Sequence, residues 1–157
     1  MKASYLFLLV VSMVACAAVG AGENEWNLLA NDNEIQARVS LLPDPNARMA
    51  IGPFVSWRDD DNVFAGGVFA TYDLMQEQTF QVLQYEIPAT LYVGGMIGAQ
   101  DIGDPGAVVR LLTGIDFGDG PTRIGFEIQY GLDGDFWHEL GDDADDVDLF
   151  FRIAHRF

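Results

Sequence analysis

Lysine and cysteine are almost missing from this chain: 157 residues contain one of each, Lys2 and Cys16, both near the N-terminus. A lone cysteine excludes an internal disulfide framework. The scarcity of lysine leaves seven arginines and Lys2 against 24 acidic residues, a formal charge of −16. Such a charge argues against a nucleic-acid partner and against adsorption to anionic lipid through a basic surface. Convincing helical periodicity is absent, and the only long apolar run is at the start, residues 5–18.

Catalytic patterns are scarce too. Beyond the N-terminal segment the only serines are Ser40 and Ser56, and no G-x-S-x-G occurs. His138-Glu139 begins like H-E-x-x-H, but Gly141-Asp142 follows Leu140 and the second zinc histidine is missing. Gly94-Gly95 and the glycines of 114–120 lack phosphate-loop spacing. The acidic runs at 59–61 and 142–146 do not follow the EF-hand ligand order and read as solvated charge. No enzyme activity, cofactor or metal site is expected.

What is present begins with an export signal. Met1-Lys2 precedes the apolar run, small residues close it, and Gly22-Glu23-Asn24-Glu25 follows at once. That order predicts a signal peptide over residues 1–21, too short to be a spanning helix. Met13-Val14-Ala15-Cys16 resembles a lipobox, with methionine where leucine is usual. Cleavage would leave 136 residues without cysteine and with a formal charge of −17, one domain's length. Half the residues are hydrophobic, so this acidic chain should fold.

Residues 22–33 read as a polar lead-in and 34–157 as a single β domain. Turn signals recur at strand spacing and predict eight strands, near 34–42, 47–58, 62–73, 78–86, 88–100, 107–118, 121–132 and 146–157. The seventh is the clearest: Ile124, Phe126, Ile128, Tyr130 and Leu132 share one face, and Arg123, Gly125, Glu127, Gln129 and Gly131 the other.

Alternation by itself does not say which face is inside. The polar register does, because glycine, alanine, serine and arginine dominate it in place of long hydrated side chains. Arg38, Arg48, Arg58, Arg110, Arg123, Arg152 and Arg156 all fall in it, with Asp73, Asp116, Glu127 and Asp148. Small residues interleaved with opposite charges suit a narrow, filled lumen. If the barrel begins on the periplasmic side, Trp57, Phe64, Phe117, Phe126 and Phe157 are expected toward that end of the apolar face, and Tyr72, Phe80 and Tyr130 toward the other.

The last strand carries a resemblance. It ends on Phe157 with Leu149, Phe151 and Ile153 at alternating positions, and His155 where an aromatic is commoner. With a signal peptide and eight alternating strands, the chain is similar to the small eight-stranded outer-membrane barrels of the OmpA/OmpX type. The resemblance implies an antiparallel up-and-down transmembrane barrel in outer-membrane lipid. It also implies that the barrel-assembly machinery reads Phe151, Ile153 and Phe157. Phe136, Trp137 and Leu140, apolar residues in the long connection 133–146, are candidates to fold over the barrel mouth or to contact an extracellular or envelope partner. The rival expectation is a secreted or lipid-anchored soluble barrel that binds a small apolar ligand inside the apolar register.

Overall fold

The computed structural model describes residues 24–42, 47–59, 63–82, 85–101, 106–132 and 147–157. The signal segment, Cys16, and the loop residues Phe136, Trp137 and Leu140 lie outside them. Eight strands follow one another: β1 (Asn24–Ala30), β2 (Glu34–Leu41), β3 (Met49–Arg58), β4 (Val63–Val82), β5 (Tyr85–Asp101), β6 (Gly106–Phe117), β7 (Thr122–Gly131) and β8 (Val147–Arg156). Each pairs antiparallel with its sequence neighbour, and β1 pairs with β8, so the sheet closes into a barrel. Closure removes every sheet edge from the wall.

The count of eight agrees with the sequence reading, but the strands are not the same eight. The segment read as a polar lead-in contains β1, which pairs with both β2 and β8. Conversely, the expected strands 62–73 and 78–86 are largely one strand, because the polar stretch from Asp73 to Gln78 forms bulges instead of a turn. One strand missed and one divided leave the total unchanged. They also swap ends for the early connections.

One rim, called the termini rim for the start of β1 at Asn24 and the end of the chain at Phe157, carries the β2–β3, β4–β5 and β6–β7 connections; the opposite rim carries the other four. Trp57 and Phe64 therefore sit together beside the β3–β4 connection, at the rim opposite to the one expected for them, while Tyr130 is at that same rim, as expected. Tyr72 and Phe80 belong with Phe117 and Phe157 at the termini rim. Phe126 lies in mid-strand, edge-on to Phe151 at 5.8 Å.

Local chemistry explains the tight turns. Asn31 Oδ1 accepts from the backbone N–H groups of Asn33 at 2.9 Å and Glu34 at 2.6 Å, so this side chain shapes the β1–β2 reversal. Between β6 and β7, Gly118 has a φ of 114°, a conformation in which a side chain would be strained. At the seam, Phe157 N–H donates to Asn24 O at 2.9 Å. His155 is answered there: its ring lies 5.7 Å from that of Trp26, and Nδ1 is 2.8 Å from Thr122 Oγ1.

Burial runs opposite to that of a water-soluble barrel. Ile128 is 44 % exposed and Leu149 59 %, whereas their neighbours Glu127 and Gln129 are 1 % and 0 % exposed. The same inversion holds for Ile124, Phe126, Leu111, Val93, Ile97 and Ile51, all outward and exposed, and for Arg38, Arg110, Asp116 and Arg152, all buried inside.

Candidate functional site: the filled lumen

The lumen is built by the inward register of each strand. β2 contributes Glu34, Gln36 and Arg38; β7 contributes Glu127 and Gln129; β6 contributes Arg110 and Asp116; β8 contributes Arg152; β1 contributes Glu25 and Asn27. Alternation puts these side chains at every second position, so they stack along the barrel axis.

Near the rim opposite the termini, Arg110 makes a two-point contact with Glu34, Nη1–Oε1 3.1 Å and Nη2–Oε2 3.0 Å. Arg58 reaches the same carboxylate from the rim at 3.4 Å. Below them Gln36 and Gln129 exchange amide hydrogen bonds of 2.9 and 3.0 Å across the lumen. Arg38 then grips both oxygens of Glu127, at 2.9 and 2.7 Å, while the Tyr92 hydroxyl donates to Glu127 Oε2 at 2.9 Å.

A second cluster lies toward the termini. Arg152 donates to Asp116 Oδ2 at 2.7 Å, to Asn27 Oδ1 at 3.0 Å and to Glu25 Oε1 at 3.3 Å, with its guanidinium 4.6 Å from the Tyr92 ring centre. Arg123 also bonds Glu25. Desolvated charges are tolerated when each has an opposite partner and its remaining groups are hydrogen-bonded, and the two clusters meet that condition almost throughout. Among the described residues Arg38 Nε and Asp116 Oδ1 are the lumen side-chain atoms left without a partner.

Space is as closely fitted as charge. A Cβ on Gly114 would stand 2.3 Å from the Tyr92 hydroxyl, and one on Gly125 would stand 2.6 Å from Asp116 Oδ1. The glycines of the polar register thus make room for the larger network members. The lumen is not polar all round: Phe54, Phe69, Met96 and Leu112, from β3 to β6, form a buried apolar cluster, and Arg38 lies 5.4 Å from the Phe69 ring centre. Together these side chains plug the barrel, as eight strands allow. A polar cavity opens at the termini rim between Glu25, Arg48, Asp116, Arg123 and Arg156.

Of the residues expected in the lumen, Arg38, Arg110, Asp116, Arg123, Glu127 and Arg152 are joined in these networks. Arg48 and Arg156 line the cavity mouth, and Asp148 stands at the other rim, accepting from Asn31 Nδ2 at 3.4 Å. Phe151 and Phe157 face outward and are exposed, with Ile153 in the same register. Sequence reading missed Glu25, Asn27, Glu34, Gln36 and Tyr92. The first two lie in the strand taken for a lead-in; Gln36 stands two residues before Arg38, hence in the same register, and needed only to be read as a network member. An interior lined by the apolar register, which the soluble ligand-binding alternative requires, is contradicted: that register faces out.

Fold and lumen together define a class: a closed eight-stranded antiparallel barrel, apolar outside, whose lumen is filled by paired charges and an apolar cluster. Neither a protein-family model nor a curated protein sequence matches the chain.

Proposed function

We propose that this is an outer-membrane β-barrel protein with a structural or surface-interaction role, of the same general kind as the small OmpA/OmpX-type barrels. The inverted burial carries the reading. A continuous belt of exposed Ile, Leu, Val and Phe is unstable in water, whereas a bilayer accepts it and requires the closed, edge-free wall that this chain has. The ten residues of each of β3, β7 and β8 also fit a tilted crossing of the hydrocarbon layer.

On this reading the N-terminal segment directs export, and outer-membrane lipid covers the outward register. The barrel-assembly machinery reads Phe151, Ile153 and Phe157 beside the seam. The termini rim faces the periplasm and the opposite rim faces out. The four connections of that outer rim, near 31–33, 59–62, 102–105 and 132–146, contain half of the 24 acidic residues and none of the arginines. Partner recognition is therefore assigned to an acidic loop rim that includes Phe136, Trp137 and Leu140. The filling of the described lumen by side chains favours a structural barrel over a pore.

Alkaline carbonate extraction of cell membranes tests this. Retention in the membrane pellet, with faster gel migration unheated than boiled, supports the reading; release as a soluble monomer refutes it.

A further inference from the structure

The β4–β5 hairpin is longer than the wall requires. β3 accompanies β4 only from Val63 to Tyr72, and β6 accompanies β5 only from Ala89 onward. The remainder, 73–82 with 85–88, is a two-stranded ribbon that continues past the termini rim. Its base has two register shifts, between Asp73 and Met75 and between Met75 and Gln78. One extra residue inverts the alternation of a strand, so two of them cancel.

The cancellation has a consequence for the faces. Tyr72 pairs with Val93, Met75 with Leu91 and Phe80 with Ile87, so these residues and Tyr85 share one face, which continues the outward register of the barrel. Thr79, Gln81, Glu86 and Pro88 form the other. The apolar face is open: Met75 is 51 % exposed and Tyr85, at the tip, 64 %. A lone two-stranded ribbon is marginal in water, and this one exposes its apolar side.

We infer that the ribbon lies in the interfacial layer of the leaflet at the termini side. Met75, Phe80, Tyr85 and Ile87 face the acyl chains, and Thr79, Gln81 and Glu86 face water. The inference rests on the bilayer reading above and adds an anchoring element to it. Two observations choose lipid over a protein partner. The apolar face is continuous with the barrel belt along β5, through Val93, Leu91, Ile87 and Tyr85, so whatever covers the belt extends onto the ribbon. The ribbon also presents Tyr85, an aromatic type that favours the membrane–water boundary, in the same register as Tyr72 and Phe80.

The test uses the full chain with Cys16→Ser in phosphatidylcholine nanodiscs, which leave both rims accessible. An environment-sensitive fluorophore is attached to Ile128→Cys, Tyr85→Cys or Gln81→Cys. The Ile128 probe should be quenched by a nitroxide deep in the acyl chains and shielded from iodide. The Tyr85 probe should be quenched by a nitroxide near the headgroup and be roughly threefold less sensitive to iodide than the Gln81 probe, as for a face buried at the boundary. Equal iodide sensitivity at Tyr85 and Gln81, with Ile128 still quenched from the lipid, overturns the inference and leaves the barrel in its bilayer. Failure of lipid quenching at Ile128 as well overturns the bilayer reading, and the inference with it.

Discussion

Arg38 and Glu127 stand on β2 and β7, strands that share no edge, and meet across the lumen through two hydrogen bonds of 2.9 and 2.7 Å. The pair ties opposite walls together where the backbone cannot. Glu127→Ala should cost ~3–5 kcal/mol, because it strands a buried guanidinium. Replacing both residues by methionine should cost less than that single change. Urea midpoints of the folded barrel, read from unheated gel mobility, check the order; a double variant weaker than Glu127→Ala would contradict it.

Gly114 and Tyr92 are fitted to each other. A methyl group at Gly114 would overlap the Tyr92 hydroxyl oxygen and Cζ, at 2.3 and 2.4 Å. Gly114→Ala should therefore destabilise the barrel by about 1–3 kcal/mol, the usual range for overpacking. Tyr92→Phe removes only the bond to Glu127 and should cost about 1–2 kcal/mol. Gly114→Ala with an unchanged urea midpoint would show that the lumen is loosely packed there.

Ile128 and Gln129 are adjacent and face opposite ways. In vesicles Ile128→Arg should cost ~2–4 kcal/mol, the penalty for arginine on a lipid-facing mid-strand position. On a water-exposed wall the same change would be harmless. The unfolding midpoint in vesicles separates the two outcomes.

β1 closes the ring between two strands that run parallel to each other, since both β2 and β8 are antiparallel to it. Deleting Asn24–Ala30 leaves those strands no antiparallel partner and removes Glu25 and Asn27 from Arg152. The truncated chain should lose the fast-migrating unheated band. Retention of that band would mean that the barrel begins at residue 34, as the sequence suggested.

That last point shows what could be read in advance. β7 was legible because outward apolar residues alternate cleanly with inward Arg, Gly, Glu and Gln, and the 118–121 turn announces itself by glycine and proline; β8 was legible from outward Val147, Leu149, Phe151 and Ile153 although inward Phe150 interrupts the contrast. β1 was not, because inward Leu29 lies beside outward Leu28 and Ala30 and breaks the alternation, while Glu25 and Asn27 look like solvent-facing polarity. The polar residues after Asp73 imitate a turn but make two compensating bulges, a feature decided by pairing with β5. For the lumen, residue types pointed inward correctly. Which arginine meets which carboxylate depends on cross-barrel distances that sequence spacing does not encode. The apolar patch of Phe54, Phe69, Met96 and Leu112 also escaped a reading that took the inner register as mainly small and charged residues.

The central claim is that this wall is built to face lipid. It is tested most directly by diluting the urea-unfolded mature chain either into plain buffer or into lipid vesicles, and following gel mobility without heating. The account predicts a fast-migrating, β-rich form only with vesicles, and aggregation in buffer. A folded, monomeric barrel in buffer without lipid or detergent would contradict it.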